Sequence, residues 1–153
     1  MDEAIEAKAL HVTRKELFYA AMMLGIRQLV NVVYDFPANE RLLNNELDDV
    51  KKELRKKKLL VESARGGVSL NFALAMCVAF CSEPKKCEVV ETEKYYAVIY
   101  QAADSFMILE NQQSADDLKA LWFSKRENLN LYINNKIDEI EKLKKDGDDN
   151  GRS

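Results

Sequence analysis

"KKELRKKKLLVESARGGVSLN", residues 51–71, decides how the first half of the chain is read. A basic helical run passes into an apolar stretch, "LLVES" at 59–63. Arg65-Gly66-Gly67 then makes a hairpin turn into a second short strand, "GVSL" at 67–70. This is the order of the last helix and wing of a winged helix.

The helix that enters this stretch starts well before it. Leu43, Leu47, Val50 and Leu54 fall at steps of four, three and four, one apolar stripe on a helix predicted over about 39–58. Upstream, "VTRKE" at 12–16 carries a capping box: Thr13 can cap the helix while Glu16 reaches back to its amide. Val12 and Leu17 stand at the hydrophobic-staple positions. That helix runs through "LFYAAMML" and should stop at Gly25. It is apolar almost all round, which demands cover on several sides. Ile26, Leu29, Val30 and Val33 keep helical spacing and predict a short second helix, ended where Pro37 biases Phe36 away from helical angles. Residues 1–11 read as a frayed lead-in. After the hairpin, "NFALAMCVAFC" at 71–81 predicts a buried helix closed by Pro84.

From Cys87 the texture changes. "CEVVETE", "YYAVIYQ" and "SFMILEN" are short, rich in β-branched and aromatic residues, and separated by polar turns. They predict an antiparallel meander. "DDLKALWF" at 116–123 is taken as a fourth strand, because Ser124 and Glu127 form a second capping box that starts a new helix. That helix should span about 125–145 and bury Leu129, Ile133, Ile137 and Ile140. The expected class is α+β. A winged-helix-like region at 12–84 shares a core with a sheet-and-helix region at 86–145, and "DGDDNGRS" at 146–153 is a polar, disordered tail.

Bulk properties narrow the function. The chain has 153 residues, 47% apolar and 32% charged, enough for one compact core. A net charge of −3 is not the basic balance of a dedicated nucleic-acid binder. The N-terminus lacks the basic and apolar regions of a signal peptide. The longest apolar run, Phe72–Cys81, is too short to span a bilayer. A cytoplasmic protein with reduced thiols, away from membranes, is expected.

The helix and wing are weakly suited to DNA. Early in the helix stand Asn44, Asn45, Glu46, Asp48 and Asp49, and carboxylates there would be repelled by phosphate. The cations cluster at the other end, where they complement the helix dipole, each by roughly 0.3–1 kcal/mol. If the chain did bind DNA as a transcription regulator, Lys51, Lys52, Arg55, Lys56 and Arg65 would hold the phosphates, with the sheet as a ligand or dimerisation domain.

Little points to an enzyme. Cys77, Cys81, Cys87 and the lone His11 could be drawn as a zinc site, but Cys77 and Cys81 lie one turn apart in the most apolar helix. Buried thiols acting as small hydrophobes explain them better. No phosphate-binding glycine loop, nucleophile elbow or metalloprotease motif is present. No catalytic residue, metal or cofactor is expected.

The sheet says more. Tyr96, Val98 and Tyr100 share one parity and Tyr95, Ala97 and Ile99 the other, and the remaining strands are also apolar on both parities. Both faces therefore need cover. The C-terminal helix can supply one. The N-terminal helices, a second copy of the chain or a client protein must supply the other. Tyr96, Val98, Tyr100, Phe106 and Trp122 are the candidate protein contacts.

Together, "KELFYAAMMLG", "LNNELDDVKKELRKKKLL", "GGVSLN", the apolar helix ending "CSEP" and the meander resemble the EspG-like chaperones of type VII (ESX) secretion systems, in particular their Gram-positive relatives outside the mycobacteria. The resemblance covers roughly residues 12–145 and rests on order and texture. It implies a non-enzymatic cytosolic chaperone or adaptor that holds a hydrophobic end of a helical secreted substrate. With room for one sheet-and-helix unit, it also makes a homodimer plausible.

Overall fold

A computed structural model describes residues 9–65, 67–112 and 116–150. In chain order the elements are β1 (Leu10–Thr13), α1 (Arg14–Met23), α2 (Glu40–Lys56), β2 (Leu60–Glu62), β3 (Val68–Leu70) and α3 (Phe72–Ser82). Then come β4 (Lys86–Glu91), β5 (Tyr96–Ala102), β6 (Ser105–Asn111), β7 (Asp117–Phe123) and α4 (Arg126–Asn150). Among the described residues β2 and β3 form a separate hairpin, and an antiparallel sheet runs in the order β1-β7-β6-β5-β4.

The strong local signals behave as their chemistry requires. The Thr13 side chain accepts from the Glu16 amide at 3.0 Å and Glu16 accepts from the Thr13 amide at 2.8 Å, closing the capping box of α1. Asn39 caps α2 and Asn71 caps α3 through their side-chain oxygens. The meander pairs in register, with Val98 opposite Leu109 and Leu109 opposite Ala120. This makes one face of Leu10, Val12, Val98, Tyr100, Met107, Leu109, Leu118 and Ala120, covered by α1, α2, α3 and the segment after α1. The opposite face, with Ala97, Ile99, Ile108, Leu121 and Phe123, is covered by Leu129 and Ile133 of α4, with Ile137 and Ile140 packed against them. Both apolar parities are thus met by the chain's own helices.

Four expectations are corrected. Residues 10 and 11 are not a frayed lead-in: Leu10–Thr13 is an edge strand, with Leu10 opposite Ala120 and Thr13 opposite Asp117. Residues 1–8 lie outside the described part. The four-residue strand is too short to show a clear alternation of its own, and its partner is more than 100 positions away in the chain. The boundary at 86 is also crossed, because β1 belongs to the sheet of the second region.

The second helix, predicted from Ile26, Leu29, Val30 and Val33, does not form. Gly25 adopts φ +77° and Asn31 φ +59°, both in the left-handed region that interrupts a helix. The Val30 amide instead donates to the Cys81 carbonyl at 2.8 Å, and the Val30 carbonyl accepts from the Tyr100 hydroxyl at 2.6 Å. Backbone groups that a helix would have used are satisfied by α3 and β5.

Finally, the tail expected at 146–153 begins inside α4, which continues to Asn150; residues 151–153 lie outside the described part. A lone glycine at 147 weakens a helix by about 1 kcal/mol without ending it. The expected turn residue Gly66 also lies outside the described residues.

Candidate protein-docking groove

Three aromatic or long apolar side chains of α3, Phe72, Met76 and Phe80, face Trp122 and Phe123 at the end of β7 across a groove of about 530 Å³. Ala73, Ser105 and Ser124 complete the lining. The groove exists because α3 is apolar nearly all round. It buries Leu74, Cys77, Val78, Phe80 and Cys81 in the core shared with the sheet and α1, while Phe72 at its start stays exposed. Phe72, one residue after the Asn71 cap, is 78% exposed, the most exposed of the large apolar side chains. Leaving such a ring in water forgoes roughly 1.5–3 kcal/mol of burial.

Trp122 is the second unusual member. Its ring is packed against the larger core, but its indole N–H is buried with no acceptor among the described residues. A buried donor left unpaired costs about 1–3 kcal/mol. A buried tryptophan usually finds a partner for this group.

The five sheet residues expected to bind a protein divide. Val98 (2% exposed) and Tyr100 (0%) are core, sealed beneath the N-terminal helices and unavailable to a partner. Tyr96 is half-buried against the same core. Phe106 lies on the opposite face, packed on the α4 cluster with the Arg126 guanidinium 5.8 Å from its ring centre. Only Trp122 lines the groove. Phe72, Met76, Phe80 and Phe123 were not singled out from the sequence. The available signal was the all-round apolarity of 72–81, which exceeds what one sheet face can cover.

The basic candidates sit elsewhere. Lys52, Arg55 and Lys56 are exposed on α2, Lys51 is half-buried, and Arg65 lies exposed in the hairpin turn. Lys56 pairs with Glu53 at 3.3 Å, one turn earlier on the same helix. Lys57 turns inward and holds the buried Glu16 at 2.5 Å.

Two carboxylates are gripped by tyrosines. Glu46 on α2 accepts from the hydroxyls of Tyr19 (2.8 Å) and Tyr34 (2.5 Å), with the Lys15 ammonium 2.8 Å away. Burial alone would raise this carboxyl, but the bonds from Lys15, Tyr34 and Tyr19 outweigh it and hold the group below its ordinary value. Burial and the Glu46 carboxylate together push the Tyr34 phenol up to about 12. Glu110 on β6, 2% exposed, accepts from Tyr95 (2.5 Å) and Tyr132 (2.6 Å), tying the sheet to α4. Neither carboxylate lines the groove. Both brace the fold.

Two of the cysteines, Cys81 and Cys87, are shifted away from the thiolate. Burial pushes the Cys81 thiol well up, and neighbouring Cys77 adds to this. Burial also raises Cys87, against a hydrogen bond from Asn31. Nucleophilic cysteines need the opposite shift. Among the described residues no group of three His, Cys, Asp or Glu is placed to hold a metal ion, and no helix is long and apolar enough to cross a membrane. No protein-family model matches the chain, and no curated protein matches it.

Proposed function

We propose that this chain is a non-enzymatic protein-binding module that holds an apolar segment of a client polypeptide in the groove between α3 and the end of β7. The observation that carries the reading is the groove's composition: aromatic walls and a ring at Phe72 left almost entirely in water. An apolar polypeptide segment supplies the side chains that would cover those walls. Surface aromatics flanking a pocket are the usual anchors of protein recognition.

The alternative mode, a strand added to the sheet edge, is less well supported. β4 ends the sheet and carries Lys86, Glu88 and Glu91, the charged dressing of an edge protected from pairing. The resemblance to EspG-like chaperones supports a helical secreted substrate as client, a cytoplasmic site of action and a role in type VII secretion. In this reading α1, α2 and the β2–β3 hairpin are a winged-helix-like scaffold rather than a DNA reader. A homodimer is the competing use of the same apolar surface.

The test is a titration with an amphipathic helical peptide carrying leucines at i, i+3, i+4 and i+7, against a copy with those leucines changed to serine. Trp122 is the sole tryptophan, so its emission reports the groove directly. Saturable binding of the leucine peptide, lost in Phe72→Asp and kept in Lys52→Glu, supports the reading. Equal response to both peptides sinks it. Binding of duplex DNA that collapses between 50 and 200 mM salt would favour the regulator reading instead.

A further inference from the structure

We infer that the client segment is acidic on one flank, and that carboxylates next to its apolar part lie against the cationic end of α2. This names the chemistry of the client and rests on the function proposed above. The charge is concentrated in one stretch. Lys51, Lys52, Arg55, Lys56, Lys57 and Lys58 stand within residues 51–58 against a single carboxylate, Glu53. Lys57 is committed to Glu16 and Lys56 to Glu53. Lys52 and Lys58 are exposed, and Lys58 lies beyond the end of α2 with φ +62°. The dipole of α2 rewards cations in its last turn and fades outside it. It does not account for the whole run from Lys51 to Lys58.

The fold carries this charge to the groove. The Asn71 amide donates to the Leu59 carbonyl at 2.7 Å, and Asn71 caps α3. Lys58 precedes Leu59, and Phe72 of the groove follows Asn71. With consecutive Cα atoms about 3.8 Å apart, the Cα atoms of Lys58 and Phe72 are separated by no more than about 14 Å. An extended chain covers that distance in about four residues. On the sheet side of the groove, exposed Asp104 beside Ser105 and exposed Lys125 beside Ser124 offset each other. The unbalanced charge therefore lies past Phe72, and it is positive. Carboxylates on a segment that leaves the groove over Phe72 gain an attraction that serines do not. A phosphate backbone suits the same cations less well, because exposed Asp48 and Asp49 stand about one turn before Lys52 on the same helix. A short acidic flank can stop before them, whereas a duplex running along the helix cannot.

The test uses three peptides with the same leucine-patterned helical segment and different flanks: glutamates, serines or lysines. Each is titrated against the full chain with Trp122 emission as the readout. The glutamate flank should bind roughly threefold to tenfold tighter than the serine flank at low salt, the size of a few exposed ion pairs. The lysine flank should bind weakest. The differences should vanish near 1 M salt, where the screening length is about 3 Å. Lys58→Glu should remove the gain from glutamate and leave the serine peptide unchanged, while Lys58→Arg keeps the gain. Lys94→Glu, in the turn before β5 at the other end of the sheet, should change nothing. Thermal melting confirms that the variants keep the fold. Equal binding of all three peptides overturns the acidic flank and leaves the groove reading standing. So does a glutamate gain that survives Lys58→Glu. Failure of every peptide to bind overturns both. Binding of duplex DNA that Lys58→Glu abolishes, with no gain from the glutamate flank, would assign the cations to phosphate and overturn the proposal.

Discussion

The two faces of the sheet carry similar apolar residues but are closed in different ways. One face is sealed by a single long helix, α4, whose Leu129 is fully buried and whose Tyr132 helps clamp Glu110. The other is covered by three helices and the irregular segment after α1, and a groove remains between α3 and Trp122. One straight helix can lie along a twisted sheet and exclude water throughout. Several shorter pieces meet at joints, and a joint can be left unfilled. The face under α4 is closed along its length by one helix, and the jointed face leaves a groove beside α3.

The carboxylates follow the same division. Glu110, on the sealed face, is almost wholly buried between two tyrosines. Glu46, on the jointed side, is partly exposed and takes a lysine as well as two tyrosines. A buried carboxylate must have its lone pairs filled, because the alternative in low dielectric is an uncompensated charge.

The contrast can be broken by experiment. The largest effects should come from the fully buried side chains of both faces. Leu129→Ala in α4 should lose about 2–5 kcal/mol, and Tyr100→Ala on the opposite face about 3–5 kcal/mol, read by urea denaturation. A cost below 1 kcal/mol for Leu129→Ala would mean that α4 does not close its face. Next, Tyr95→Phe removes one of the donors to buried Glu110 and should cost about 1–3 kcal/mol. Tyr34→Phe on the more exposed Glu46 should cost less than that. The reverse order would undo the distinction between the two clamps.

The pH dependence of Glu46 is smaller and signed. Its folded carboxyl titrates below its ordinary 4.5, so the clamp contributes fully above that value and is lost as pH falls through the lowered one. Glu46→Gln should therefore flatten stability against pH in the acid range. Tyr34 behaves oppositely. With its phenol raised from 10 to about 12, its contribution is complete below pH 10 and vanishes as pH rises through 12. Melting curves of wild type and Tyr34→Phe should converge over that interval. The smallest effect on stability belongs to the open joint. Phe72→Ser should shift it by no more than about 0.5 kcal/mol while abolishing peptide binding.

Much of the fold was legible in the sequence. The capping box at Thr13 and Glu16, the stripe from Leu43 to Leu54, the hairpin flanking Arg65 and the meander are local patterns, and local hydrogen bonds and periodicity decide them. What failed was non-local. The 26–33 segment had helical spacing, but its backbone found better partners in Cys81 and Tyr100, over 50 residues away. β1 is a strand only because β7 is there to pair with it.

The candidate site was legible in part. Apolar parities on both faces showed that cover was needed, and Trp122, one of the five residues chosen, lines the groove. The same reasoning chose Val98 and Tyr100, which are core, because parity names a face and not the extent of its cover. By itself the sequence determined the α+β class, most of the elements after residue 39 and the demand for burial, since each follows from neighbours along the chain. Only the tertiary structure decided which surface is left over, because the opening between Phe72 and Trp122 depends on how α3 packs beside the end of β7, which no local pattern contains.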